Sequence, residues 1–153
     1  MNNFIEIKHI NEGEVNYLVR NLEDFEKDKA IKSGLIGAGQ VFRSGGRSRL
    51  RRTMKSGNRG VTGNLLRSFI VKAKRNKPGV LTGFKQGVGG GSHAHLVDRG
   101  TAERYLKKKN NKSVGKVKPS FFWTDTESQD YPKAIDKLYD GIERAVERIN
   151  NRR

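Results

Sequence analysis

The residues that could carry chemistry in this sequence are few, and their spacing leaves each candidate site incomplete. His93 and His95 are two residues apart, so on a strand both imidazoles would face one side and could bind one metal ion. Only Asp98 and the distant His9 could serve as further ligands. We therefore interpret the two histidines as partly exposed side chains on a strand rather than as a metal site.

Other catalytic patterns are also incomplete. The run from Gly87 to Gly91 resembles a phosphate-binding loop, but no Gly-Lys-Ser/Thr and no predicted helix follow it, so we interpret it as a flexible connection between strands. The chain contains neither cysteine nor a Gly-x-Ser-x-Gly nucleophile elbow, and its carboxylates lie mainly on predicted helix faces. We therefore expect that the protein is not an enzyme and uses neither a metal nor a cofactor.

Positive charge is the dominant chemical property of the chain. Its 153 residues include 32 Lys and Arg against 16 Asp and Glu, and no acidic residue lies between Asp28 and Asp98. Such blocks attract nucleic acid or an acidic protein surface, although a solvated face that only maintains solubility has the same pattern. The candidate contacts with DNA in a channel or with a partner are Arg43, Arg47, Arg49, Arg51, Arg52, Lys107, Lys108 and Lys109.

Composition predicts a single domain over residues 1–153 with a lean core. Only 33% of the residues are hydrophobic, below the roughly 45–50% that is typical of globular domains. The first residues lack the charged and apolar regions of a signal peptide, and no apolar run approaches the ~20 residues of a membrane span. We therefore expect a soluble protein that is made in the cytoplasm and contacts no membrane.

Hydrophobic spacing predicts a short strand within residues 4–10 and helices after it. From Glu12 the apolar residues recur every three or four positions, which is typical of one helix face. A change of phase near Lys29 predicts a break or a bend, followed by a second helix that ends near Thr53. The glycines of the second helix that would let another element approach closely are Gly34, Gly37 and Gly39.

The middle of the chain predicts a short antiparallel sheet. Residues 68–74 and 80–84 are rich in apolar and β-branched side chains and are separated by a Lys-Pro-Gly turn signal. The alternation over residues 93–97 adds a third strand, which makes a meander. Residues 102–118 are polar and rich in lysine, so we interpret them as a long mobile loop.

The end of the chain has the clearest helical pattern. Asp130 is a suitable helix cap and Pro132 suits the first turn. The apolar stripe that follows consists of Ile135, Leu138, Ile142, Ala145, Val146 and Ile149. The predicted fold class is therefore α+β, with a short antiparallel sheet of about three to four strands packed by a long N-terminal helix and a C-terminal helix.

Three adjacent aromatic residues, Phe121, Phe122 and Trp123, precede the predicted last helix. Rings of this kind beside lysines could stack on the bases of single-stranded nucleic acid. Because three neighbouring side chains cannot all face one way, we favour a hydrophobic staple that anchors the helix, with one ring left for a partner. The same three residues are therefore the candidate interface between subunits.

Several segments occur in an order that is found in a known family. Residues 5–8, Ile-Glu-Ile-Lys, precede a short helix, and residues 29–52 form a longer helix with small residues and a basic end. Residues 61–70 contain Thr-Gly-x-Leu-x-x-Ser followed by apolar residues, residues 93–101 end in Asp-x-Gly-Thr, and residues 119–122 read Pro-Ser-Phe-Phe. Together these segments resemble the tail-completion or neck proteins of tailed bacteriophages.

The resemblance implies a virion structural protein that forms a ring at the head–tail junction, as a neck, tail-completion or tail-terminator protein, and that is made in the cytoplasm of the bacterial host. Its partners would be further copies of itself and the neighbouring head-connector and tail-tube proteins, with non-specific contact to duplex DNA. The alternative is a basic nucleic-acid-binding protein that uses the acid-free residues 29–97 to bind phosphates.

Overall fold

The computed structural model describes residues 4–6, 11–54, 63–108 and 110–152. The elements within these residues are β1 Ile5–Glu6, α1 Glu12–Val19, α2 Asp24–Met54, α3 Asn64–Arg67, β2 Phe69–Ala73, β3 Val80–Phe84, α4 Ala94–Arg99, β4 Arg104–Leu106, β5 Lys112–Gly115 and α5 Phe122–Asn150. Two long helices and a three-stranded antiparallel sheet confirm the predicted α+β class. No helix in these ranges is long and apolar enough to cross a membrane.

Helix α2 runs unbroken from Asp24 to Met54, so no break occurs near Lys29, and the chain leaves the helical conformation between Val19 and Asp24 instead. The apolar phase changes because the helix has different neighbours along its length. Gly34 faces α5, whereas Gly39 faces the sheet strands β2 and β3. One continuous helix therefore needs apolar or small residues on two of its sides.

Close approach occurs at two of the three predicted glycines. A Cβ atom on Gly34 would lie 2.5 Å from the carbonyl oxygen of Leu138 on α5. A Cβ atom on Gly39 would lie 2.7 Å from Cγ1 of Val71 on β2. At Gly37 the nearest atom would be 3.5 Å away, which is an ordinary contact. Any side chain at the first two positions would push α2 away from α5 or from the sheet.

Strand β3 is the centre of the sheet, with order β1-β3-β2 and antiparallel pairing on both sides. Phe69 lies opposite Phe84 and Ile5 lies opposite Thr82, and all four side chains are buried. The predicted strands over residues 68–74 and 80–84 are confirmed. The largest fully buried side chains between the sheet, α2 and α5 include Phe42, Phe84, Phe122, Leu35, Leu50, Leu138 and Ile142.

The predicted third strand over residues 93–97 is wrong, because this segment belongs to the short helix α4. Its buried residues are Ala94 and Asp98, which are four apart and therefore share a helix face. The alternation in five residues was too short to distinguish a strand from a single helical turn. The place of the third strand is taken by β1, and the rest of the predicted N-terminal strand, residues 7–10, lies outside the described residues.

Residues 102–118 contain the hairpin β4–β5 where a long loop was predicted. Tyr105 lies opposite Ser113, with a register shift next to this pair. The turn contains Asn110 and Asn111, whose φ angles are 50° and 52°. Asparagine tolerates this left-handed conformation better than other residues with a side chain, so the Asn-Asn pair was a turn signal inside the lysine-rich stretch.

Helix α5 begins at Phe122, so the predicted start at Asp130 and Pro132 is wrong, and the proline lies inside the helix. The first turn is capped by Asp98, whose Oδ1 accepts hydrogen bonds from the backbone N–H groups of Trp123 and the next residue at 2.7 and 3.1 Å. This cap comes from a distant segment, which local spacing could not indicate. The predicted apolar stripe packs in or against the core, with Leu138, Ile142 and Ala145 buried and Ile135, Val146 and Ile149 partly buried.

Candidate partner-binding surfaces

Three of the candidate arginines form a stripe on one face of α2, called here the arginine stripe. Arg43, Arg47 and Arg51 are four residues apart, and side chains with this spacing are neighbours on a helix surface. They line a groove of about 270 Å³. The remaining lining residues are the polar side chains Gln40, Ser44 and Ser48. The described lining of this groove is therefore cationic and hydrogen-bonding.

The arginine stripe has hydrogen-bond donors without acceptors. The Nε atoms of Arg43 and Arg47 are buried and have no hydrogen-bond partner. Nη1 of Arg43 donates one long bond, 3.4 Å, to Oε1 of Gln40. Among the described residues, no carboxylate forms an ion pair with the three guanidinium groups. Because a guanidinium binds phosphate or carboxylate through paired N–H groups, this arrangement suits an anionic partner.

Arg49 lies apart from the stripe and is used inside the chain. Its Nη1 and Nη2 atoms donate to the two carboxylate oxygens of Asp130 at 2.6 and 3.1 Å, and they also donate to Thr126 and Gln129 at 3.2 and 3.0 Å. The hydrogen bond to Asp130 raises the pKa of Arg49, although burial opposes the shift. Arg49 therefore joins α2 to α5 and is removed from the candidate contacts. Arg52 is exposed but does not line the groove.

The hairpin over residues 104–115 is an exposed arm, called here the β4–β5 arm. All of β4 and most of β5 are exposed, and in the described structure the two strands pack mainly on each other. The apolar side chains that it exposes are Tyr105 (55% exposed), Leu106 (43%) and Val114 (48%). Of the candidate lysines, Lys107 and Lys108 are exposed on its turn, and Lys109 lies outside the described residues. The arm is therefore both apolar and basic.

The β4–β5 arm is anchored by a clasp between its two flanking segments. Asp98 is buried, and its Oδ2 accepts the hydroxyl hydrogen bond of Thr124 at 2.6 Å. The backbone N–H of Thr101 donates to the carbonyl of Val117 at 3.0 Å, and the N–H of Val117 donates to the Thr101 hydroxyl at 3.0 Å. Gly100, with φ of 76°, lies where a Cβ atom would be 2.7 Å from the Val117 carbonyl oxygen. The Asp-x-Gly-Thr segment thus holds the arm and caps α5.

The aromatic cluster is mainly part of the core. Phe122 and Trp123 are 1% and 7% exposed, and the Trp123 ring lies 5.7 and 5.0 Å from the rings of Phe69 and Phe84. This burial agrees with the favoured interpretation that the cluster anchors the last helix. It also corrects the candidate subunit interface, because only Phe121, at 47% exposure, remains on the surface of the chain.

The structure places His93, His95 and the glycine run on and before a short helix rather than on strands. His93 is the N-cap of α4 and His95 lies within that helix, so the two imidazoles do not share a strand face. In the described ranges, no group of three or more His, Asp or Glu side chains could hold a metal ion. The run Gly87–Gly91 connects β3 to α4 rather than two strands, so the expectation that no helix follows it is wrong. A Cβ atom on Gly91 would lie 2.7 Å from Cβ of Phe84.

A second groove, called here the acidic groove, lies between α1 and α5 and was not predicted. It has a volume of about 480 Å³, and its lining residues are Asn11, Gly13, Glu14, Tyr17, Leu18, Tyr139 and Glu143. Tyr17 is 63% exposed, with the Arg20 guanidinium 4.3 Å from its ring centroid. Burial, followed by a hydrogen bond to Glu14, raises the pKa of Tyr139. Among the residues that the structure describes, the lining contains two carboxylates and no basic side chain.

Three surfaces are therefore candidates for partner binding, and they differ in chemistry. The arginine stripe is cationic, the β4–β5 arm is apolar and basic, and the acidic groove is apolar and acidic. The groove could have been indicated by Glu14, Tyr17 and Leu18, which share one face of α1, but its second wall comes from α5. No protein-family model matches the chain, and no curated protein or solved structure matches it.

Proposed function

We propose that the protein is a structural protein of a tailed-bacteriophage virion that forms a ring at the head–tail junction and joins the capsid connector to the tail. The ordered segments that resemble tail-completion proteins support this proposal, and so does the α+β fold. The role needs no active site, because contacts between subunits and with neighbouring rings perform it.

The observation that carries the proposal is the β4–β5 arm. Two segments on which the resemblance depends, residues 98–101 and 119–122, meet at its base. A two-stranded hairpin with little packing is marginally stable in water, and strands with free edges tend to pair with other chains. Head-to-tail contacts between identical copies close into rings when their rotation allows it. An arm that presents apolar side chains away from the body is therefore a suitable connecting element for a ring subunit.

Locating the protein in virus particles tests this function. We expect antibody labelling at the neck of intact particles, and a purified multimer whose native mass is a multiple of 17.3 kDa. Infections without the gene product should yield DNA-filled heads separate from tails. A protein that stays monomeric at high concentration and is absent from purified particles would overturn the proposal.

The arginine stripe supports a second candidate function, binding of nucleic-acid phosphates. We expect Arg43→Gln/Arg47→Gln/Arg51→Gln to weaken binding to duplex DNA and to reduce the salt slope by about 0.9 for each phosphate that the variant no longer neutralises. The matched control is Lys72→Gln/Arg75→Gln/Lys77→Gln, which removes three exposed charges elsewhere. Tight binding of one DNA sequence at physiological salt would favour this function over the ring, whereas no binding at low salt would exclude it.

A further inference from the structure

We infer that the β4–β5 arm of one copy docks into the acidic groove of a second copy. This inference rests on the ring proposed above and identifies the two surfaces through which its subunits would meet. The two surfaces differ from each other, so every copy carries one donor and one acceptor. Such heterologous contacts propagate from copy to copy until a ring closes.

The arm has the composition of an inserting segment. Tyr105, Leu106 and Val114 are each about half exposed, so they remain in contact with water in the single chain. Removing apolar surface from water stabilises a complex by roughly 25 cal/mol for each Å². The basic residues of the arm in the described structure are Arg104, Lys107, Lys108 and Lys112, and Glu103 next to it bonds to Ser113.

The groove has the complementary composition. Its floor and walls include Tyr17, Leu18 and Tyr139, which can contact apolar side chains. Glu14 and Glu143 supply negative charge at the same place, and α1 adds a further acidic residue, Glu12, in its first turn. Arg20 covers one face of Tyr17, so an incoming arm would contact the remaining surface of that ring. Exposed apolar side chains beside lysines match an apolar groove beside carboxylates, and complementary charge fixes the register of an interface.

Within one chain, the arm and the acidic groove lie at different positions along α5. The clasp that holds the arm lies at the start of α5, at Phe122, whereas the groove residues Tyr139 and Glu143 lie about 26–32 Å farther along the helix at 1.5 Å per residue. Within one chain the arm strands pack mainly on each other. The described residues that line the groove include none from the arm, so the arm does not occupy the groove of its own chain, and its acceptor is the groove of a neighbouring copy.

Charge exchange between the surfaces tests the docking. The variant Lys107→Glu/Lys108→Glu/Lys112→Glu reverses charges on the arm. The variant Glu14→Lys/Glu143→Lys reverses charges in the groove. We expect each variant alone to raise the dissociation constant for self-association by about tenfold or more, measured by sedimentation, and the mixture of the two to restore association. The control Lys72→Glu/Arg75→Glu/Lys77→Glu makes the same charge change on and beside β2, and it should leave association unchanged. Circular dichroism verifies that each variant is folded.

Cross-linking tests the same contact without changing charge. The chain contains no cysteine, so Leu106→Cys in one copy and Tyr17→Cys in another supply the only thiols in a mixture. A short bismaleimide should join the two copies at protein concentrations where the wild type associates, and at high concentration if association is weak. Val88→Cys, fully exposed on the connection from β3 to α4, paired with Tyr17→Cys is the control that should not cross-link.

The outcomes separate the docking from the ring. A wild-type multimer that is found in particles, but shows neither restored association in the charge mixture nor the Leu106–Tyr17 cross-link, would overturn the docking and leave the ring standing. A monomeric wild type that is absent from particles would overturn the ring. If the wild type is monomeric and the Leu106–Tyr17 cross-link does not form at high protein concentration, the docking is overturned as well.

Discussion

Arg49 and Asp130 connect the two long helices through two hydrogen bonds, at 2.6 and 3.1 Å. Their side chains are only 17% and 18% exposed, so removing one charge leaves the other largely buried and unpaired. We expect Arg49→Met to lower the free energy of unfolding by about 2 kcal/mol in urea denaturation. The exposed control Arg52→Met should change it by less than about 0.5 kcal/mol. Equal effects of the two variants would contradict a structural role for Arg49.

Tyr139 makes stability depend on pH in the alkaline range. Burial and the hydrogen bond to Glu14 raise its pKa above the usual value of about 10. The folded chain therefore keeps a proton that the unfolded chain loses, so this stabilisation is complete below about pH 10 and is lost as pH rises through the folded pKa. We expect wild type to lose more stability than Tyr139→Phe between about pH 9.5 and 11.5. Identical pH dependence in chemical denaturation would refute this role.

At the scale of elements, the crossing of α2 and α5 depends on a glycine from each helix. A Cβ atom on Gly141 would lie 2.8 Å from Cα of Gly34, so both positions are closely packed. We expect Gly34→Ala to lower the free energy of unfolding by about 1–3 kcal/mol, because the helices must separate. The control Gly37→Ala, on the same helix with its nearest atom at 3.5 Å, should be neutral or stabilise by up to about 1 kcal/mol. If both variants lost the same free energy of unfolding, the loss in Gly34→Ala would not arise from the helix crossing.

Elements that depend on local patterns were predictable, and elements that depend on distant partners were not. Strands β2 and β3 and the end of α2 follow from β-branched runs, a Pro-Gly turn and helical spacing. The start of α5 could not be predicted from local patterns, because its cap is Asp98 from another segment. The β4–β5 arm has few apolar residues, and its only strong local signal is the pair Asn110-Asn111.

The candidate site residues also divide into those that local spacing could identify and those that depend on distant partners. The spacing of four predicts that Arg43, Arg47 and Arg51 share one face of α2. Arg49 is two positions from its neighbours, about 200° around the helix, so spacing could have separated it from the stripe. Its partner, Asp130, is 81 residues away and could not be identified from spacing. The acidic groove requires two helices side by side and is therefore a tertiary property.

At the scale of the whole molecule, a formal charge of +16 opposes the compact state through self-repulsion. Salt screens this repulsion, so raising NaCl from about 0.05 to 0.5 M should raise the melting temperature by about 2–4 °C, which corresponds to roughly 1 kcal/mol. The variant Lys72→Glu/Arg75→Glu/Lys77→Glu, whose charge is lower by six, should show a smaller rise. A melting temperature that falls with salt would mean that attractive ion pairs dominate.

Trp123 is the sole tryptophan of the chain, and it lies where the main parts of the molecule meet. It is 7% exposed, it packs on Phe84, and a Cβ atom on Gly46 of α2 would lie 2.8 Å from its ring. Its backbone N–H is bound by Asp98, at the base of the arm. The chain therefore contains an intrinsic fluorophore at the junction of α2, the sheet, α5 and the arm. Its emission should be blue-shifted in the native state, and a change on self-association would report arm docking without any label.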